Sequence, residues 1–160
     1  MKPRVSRERG GGFRLRLPPE EREIVRSLPG QLQELLDGQL DAPDARRLFP
    51  PAYEQDPELQ EEYRRLTLDD LAQRRREALR TVQETVDADH LTEEQLAAWL
   101  GVVNDLRLVL GTRLEVTEDD YGRVPPEDDP RFAPFALFSY LGLLEEQIVE
   151  ALASTLPRTG

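Results

Sequence analysis

The segment from Thr92 to Leu114 constrains the fold more than any other part of the chain. Thr92 followed three residues later by Gln95 is a capping box, in which each side chain satisfies a backbone N–H that the first helical turn leaves open. Behind it, Leu96, Trp99, Leu100, Val102, Val103, Leu106, Val109, Leu110 and Leu114 cover a wider arc than a single apolar stripe. A helix of that width needs several neighbours, so the pattern predicts a central helix. Pro134 opens a second one, with Phe135, Leu137, Phe138, Leu141, Leu144, Ile148, Val149 and Leu152 on another broad apolar face before Leu156-Pro157. Together they predict a packed pair of long helices in the C-terminal half.

The rest of the chain reads as shorter elements leaning on that pair. Phe13-Arg14-Leu15-Arg16-Leu17 alternates as a half-buried strand does, and Gly10-Gly11-Gly12 can supply a hairpin turn, making residues 3–8 its partner. Pro18-Pro19-Glu20-Glu21 starts a helix carrying Ile24, Val25, Leu28, Leu32, Leu35 and Leu36, which Pro29-Gly30 should kink or break. A short turn is expected over 43–48. Asp56-Pro57 opens a helix running through Arg65, and Thr67 with Asp70 precedes a longer one with Leu68, Leu71, Ala72, Leu79, Val82 and Val86 on one face. Residues 115–132 are acidic and proline-rich and read as an exposed loop. The expectation is a mainly α fold: one compact helical domain over 1–160, of about five helices, with a short N-terminal β-hairpin. Its parts are a basic ribbon arm (1–17), helices (18–114), the acidic loop (115–132) and a C-terminal helix (133–155).

Composition excludes several chemistries. The 160 residues contain no cysteine, which removes disulfides, zinc–thiolate sites and thiol nucleophiles. His90 is the single histidine, so a histidine-based triad lacks partners and a multi-histidine metal site is impossible within one chain; a solvated loop side chain is the expected state. No D-x-D-x-D-G loop is present, so no metal site is expected, nor any cofactor. Gly10-Gly11-Gly12 is not a phosphate loop, because no Lys-Ser/Thr pair follows it. With neither an apolar leader nor an apolar run near 18 residues, a cytoplasmic protein without membrane contact is expected.

Charge is unevenly spread. The net charge is −11. Residues 1–16 hold Lys2, Arg4, Arg7, Arg9, Arg14 and Arg16 against Glu8, or +5, leaving −16 for the remainder. That acidic body repels phosphate and argues against nucleic-acid binding except through the arm. The five arginines 4, 7, 9, 14 and 16 either pack on their own body or form an arm that meets an acidic partner.

Four further residues stand out as candidate binding groups: Arg75, Asn104, Arg107 and Arg113. Arg75 falls within an apolar stripe, where its stem can cover the core while its head reaches water. At 100° per residue Arg107 lies beside Leu96, Leu100 and Val103, Asn104 borders that face, and Asp105 points away. Arg107 then needs a carboxylate, with Glu145 or Glu146 available, because a buried unpaired charge costs several kcal/mol. The arrangement is either a structural clamp or a ligand site; no catalytic residue is assigned.

Residues 99–114, Trp99-Leu100-Gly101-Val102-Val103-Asn104-Asp105-Leu106-Arg107 through Gly111-Thr112-Arg113-Leu114, with Thr117-Glu118-Asp119-Asp120 behind them, resemble the hallmark segment of the AosR-like actinomycete oxidative-stress regulator family, long known only as a domain of unknown function. The basic glycine-rich start, Leu66-Thr67-Leu68-Asp69-Asp70-Leu71 and the segment Phe135 to Leu152 fit as well. The resemblance implies a cytosolic regulator that acts through protein partners of the transcription machinery, not an enzyme. Thiol-based redox sensing cannot carry over to a chain without cysteine. Three readings follow: a regulatory or scaffolding module that binds another protein or a second copy of itself, a small enzyme using Arg75, Asn104 and Arg107 as an anion clamp, and a weak DNA-binding regulator using the arm.

Overall fold

The computed structural model describes residues 3–37, 56–63, 69–114 and 125–155. Within them the order is β1 (Val5–Arg7), β2 (Phe13–Leu15), α1 (Pro19–Asp37), α2 (Pro57–Tyr63), α3 (Asp69–Thr85), β3 (His90–Leu91), α4 (Glu93–Arg113) and α5 (Phe132–Ala153). This is the mainly helical architecture with an N-terminal hairpin that the periodicity predicts.

The helix starts follow from local chemistry. At α4 the Thr92 hydroxyl accepts from the Gln95 N–H at 3.1 Å, and the Gln95 side chain accepts from the Thr92 N–H at 2.9 Å. Asp56 caps α2, its carboxylate accepting from the N–H groups of Glu58 and Leu59. The expected continuation of α2 to Arg65, the Thr67 cap, the apolar Leu68 and the turn over 43–48 lie outside the described residues, as does 115–124 of the acidic loop. α5 starts at Phe132, ahead of Pro134, which therefore occupies the first turn, where its missing N–H costs nothing. The preceding turn is held by Asp129, whose carboxylate accepts the Arg131 N–H at 2.8 Å.

Two expectations need correction. Pro29 does not break α1, which runs unbroken through it. Its ring is fully buried, and that packing offsets the one backbone bond its nitrogen cannot donate. His90 is not in a loop; with Leu91 it forms a third strand, antiparallel to β2 in the order β1-β2-β3, with Phe13 opposite Leu91 and Arg14 opposite His90. The hairpin itself pairs Val5 with Leu15 across a turn in which Gly11 and Gly12 take φ of 100° and 78°, values a side chain would strain.

One core joins these elements. Val5, Phe13, Leu15 and Leu17 from the hairpin meet Val25, Leu28 and Leu32 of α1, Ala72, Leu79 and Val82 of α3, and the apolar sides of α4 and α5. α4 lies at the centre, packed chiefly against α3 and α5 and also touching α1 and β3. Trp99 is fully enclosed, its indole N–H donating to Thr85 Oγ1 at 2.7 Å, and that hydroxyl donates to the Thr81 carbonyl at 2.7 Å. Among the described residues no helix is long and apolar enough to cross a membrane.

Candidate functional site: the charged edges of the central helix

Asp105 and Arg107 are two residues apart on α4, which turns the second about 200° from the first. Between them, on the long way round, lie Val109, Val102, Leu106, Trp99 and Val103, all buried. The two charges therefore mark the two edges of the buried arc, one facing α3 and the other α5. Asp105 points away from the Arg107 face, as the 100° spacing predicts, but not into open water: the side remote from Leu96 is covered by α3, and Asp105 is only 6% exposed.

At the α3 edge, Arg75 Nε stands 3.0 Å from Asp105 Oδ2, and Nη2 donates to Oδ1 at 3.4 Å. Desolvation pushes the Asp105 pKa above its ordinary value, and the Arg75 charge and hydrogen bond act against that rise. Arg75 does more than cover the core with its stem: it neutralises a buried carboxylate. At the α5 edge, Arg107 Nη1 donates to Glu145 Oε2 at 2.9 Å, which selects Glu145 over Glu146 as the partner. The Arg107 guanidinium also lies 5.2 Å from the Phe138 ring centroid. Gly142 leaves room for it: a Cβ there would stand 3.3 Å from Arg107 Nε.

The candidate residues thus divide between two interfaces. Arg75 and Arg107 each hold a carboxylate on opposite sides of α4, half-buried Asn104 enters neither pair, and Arg113 is the last residue of α4, with its side chain outside the described set. Arg75 and Arg107 do not converge, and the groove at Arg107, roughly 540 Å³, is lined otherwise by Gly142, Glu145, Glu146, Val149 and Glu150 of α5. Among the described residues no cluster of three or more acids and histidines could hold a metal ion.

The basic arm is a docked hairpin. Arg4 grips Glu21 of α1 with two bonds, at 3.1 and 2.9 Å, while its backbone N–H donates to Gln147 of α5 at 2.7 Å. Tyr140 sits beside the same carboxylate; burial first, then hydrogen bonding to Glu21 and its charge, push the phenol far above the ordinary value. Arg7 donates to the Ser154 carbonyl at 2.8 Å, Arg16 to Ser6 Oγ at 2.6 Å, and Arg14 stands 3.4 Å from Glu8, which also lies 2.6 Å from His90 Nδ1. Arg9, at the turn, is exposed. Arg22 was not legible as important: it ties the hairpin exit to the α3–α4 connection by donating to the carbonyls of Leu17, Val86 and Ala88. It also donates to the Asp89 carboxylate at 3.2 Å; its partners are up to 67 residues away, and no local pattern announces them.

Comparison with known proteins places this architecture. The family described as a domain of unknown function, DUF2017, matches residues 1–152. The chain belongs to the DUF2017 family. The oxidative stress regulator AosR of Mycobacterium tuberculosis (strain ATCC 25618 / H37Rv) is 28% identical to it over 189 residues, 93% of this chain and 86% of that protein. The AosR of Mycobacterium bovis matches to the same extent. A Mycobacterium leprae relative is 39% identical over 77 residues; there the match spans 48% of this chain and 35% of the relative's length. No solved structure matches the chain. For this DUF2017 member, the resemblance read from residues 99–114 is therefore a family relationship.

Proposed function

We propose that this DUF2017 protein is a non-enzymatic regulator of the oxidative-stress response that works by contacting another protein, with the transcription machinery as the place of action. The observation that carries the reading is the similarity along 93% of the chain to proteins named as oxidative stress regulators. The geometry supports it from the other side. Arg75 and Arg107, the cations an anion-binding enzyme would need, are each tied to a carboxylate and face different helices. The DNA-binding reading draws less support, because Arg4 and Arg16 of the arm are spent on internal partners and the rest of the chain carries −16. With no cysteine, any oxidant signal reaches this chain by a route other than its own thiols.

The test is genetic. Deleting the gene in its host should alter the transcript response to peroxide, and a plasmid copy should restore it. Transcript profiles that are the same with and without the gene, before and after oxidant, would overturn the reading.

A further inference from the structure

We infer that the outer face of the three-stranded sheet docks an extended acidic segment of another protein, one with carboxylates at alternate positions. The inference rests on the regulatory reading and names the surface and the chemistry of the partner. Phe13, Leu15 and Leu17 point into the core, so Arg14 and Arg16 stand on the opposite side of β2. The register sets their neighbours: Arg14 lies between Ser6 of β1 and His90 of β3. This face is open to water, the side chains of Arg14 and His90 being 42% and 59% exposed. Its one acid is already matched, since Glu8 lies against both Arg14 and His90, and Asp89 just before His90 is held by Arg22. The remaining arginines of the hairpin keep their charge. Arg16 gives one N–H to a neutral hydroxyl and Arg7 one to a carbonyl, and neither they nor the exposed Arg9 make an ion pair within the described residues. Arg7, Arg9, Arg14 and Arg16 against Glu8 leave the outer face and tip of the hairpin at +3, on a chain whose residues 17–160 carry −16.

Spacing and size decide what fits. Arg14 and Arg16 are two positions apart on one strand, about 6.8 Å along it. An extended peptide repeats its side chains at the same interval, so acids at alternate positions reach both guanidinium groups, each of which can grip a carboxylate through two N–H groups. A nucleic acid fits less well. Three strands are roughly 10 Å across, whereas duplex DNA carries a charge about every 1.7 Å and runs on past the sheet over the acidic body. The face also lacks a Phe, Tyr or Trp on which an unpaired base could stack.

The experiment uses the full chain and defined probes: a short fluorescein-labelled peptide alternating glutamate with threonine, the same peptide with lysine for glutamate, and a labelled DNA duplex. Anisotropy is read at about 0.15 M ionic strength, where exposed charges are screened beyond roughly 8 Å. The glutamate peptide should bind the wild type, and bind Arg14→Gln/Arg16→Gln about tenfold more weakly, the loss of two exposed ion pairs. Arg74→Gln/Arg80→Gln, an equal charge change on the exposed side of α3, should bind like wild type. Circular dichroism checks that both variants are folded, and Arg14→Lys/Arg16→Lys, which keeps the charge, should recover part of the binding. Four results would overturn the proposal: no binding of the glutamate peptide to the wild type, equal weakening by the two glutamine variants, DNA bound more tightly than the peptide through the same two arginines, or a wild-type dimer in light scattering that Arg14→Gln/Arg16→Gln dissociates. None of these bears on the transcript response, so the surface and the regulatory role fail separately.

Discussion

Replacing Arg75 by methionine removes the cation that faces Asp105 and leaves the apolar stem in place. Breaking a buried pair from one side costs about 3–5 kcal/mol. Arg75 keeps 24% of its side chain exposed and Asp105 9%, so water relieves part of that cost and about 2–3 kcal/mol is expected at pH 7. For a chain of this size that corresponds to a fall in Tm of roughly 5–10 °C. The pH dependence carries the diagnostic sign. Asp105 has a folded-state pKa raised by burial, so the folded state penalises its charged form; that penalty is absent below the unfolded pKa and sets in as pH rises through the folded one. Removing Arg75 raises the folded pKa further. The deficit of Arg75→Met relative to wild type should therefore shrink as pH falls from 7 toward 5, and Asp105→Asn in the same chain should recover much of it. Urea titrations of the four members of the cycle at both pH values measure this. A loss under about 0.5 kcal/mol at pH 7, or one that does not change with pH, would refute the argument.

Three further outcomes follow from the same geometry. Thr85→Val leaves the buried Trp99 indole N–H without its acceptor and should cost about 1–3 kcal/mol in chemical denaturation, with a change in near-ultraviolet circular dichroism from the single tryptophan. Arg107→Met, at a pair whose members are 30% and 17% exposed, should cost about 1–2 kcal/mol, less than Arg75→Met, because Glu145 can turn to water. Arg4→Met should loosen the hairpin more than the helices, seen as faster amide exchange at residues 5–15 while α4 stays protected.

Sequence reading reaches the elements whose causes are local. The Thr92–Gln95 capping box, the Asp56-Pro57 start, the alternation at Phe13–Leu17 and the apolar width of residues 96–114 each rest on neighbours a few positions apart, and each appears in the structure where expected. The failures are equally specific. β3 has two residues, too few for any alternation to show, and it exists because Phe13 and Arg14 offer it a free edge. The Asp105 contact escapes because periodicity shows which side of α4 is most apolar, not which neighbour covers the other side. On a helix enclosed by α3 as well as α5, the side remote from Leu96 is an interface too. Arg107 was legible because its face could be read and Glu145 was already in the right helix. Arg75 was only half legible, since its partner, Asp105, lies on the side of α4 remote from the apolar face. The Arg4–Glu21 and Arg22 anchors depend on how the hairpin lands, which periodicity does not encode.

The charged residues of α4 hold helices together, which leaves the proposed regulation to the surface of the protein. Arg107→Met combined with Glu145→Leu tests it most directly, since replacing both partners of a part-buried pair by apolar side chains leaves no orphaned charge. Introduced into the deletion strain at wild-type abundance, the folded double variant should restore the peroxide transcript response in full. A folded, equally abundant double variant that fails to restore it would contradict the claim and make the Arg107–Glu145 edge a functional site in its own right.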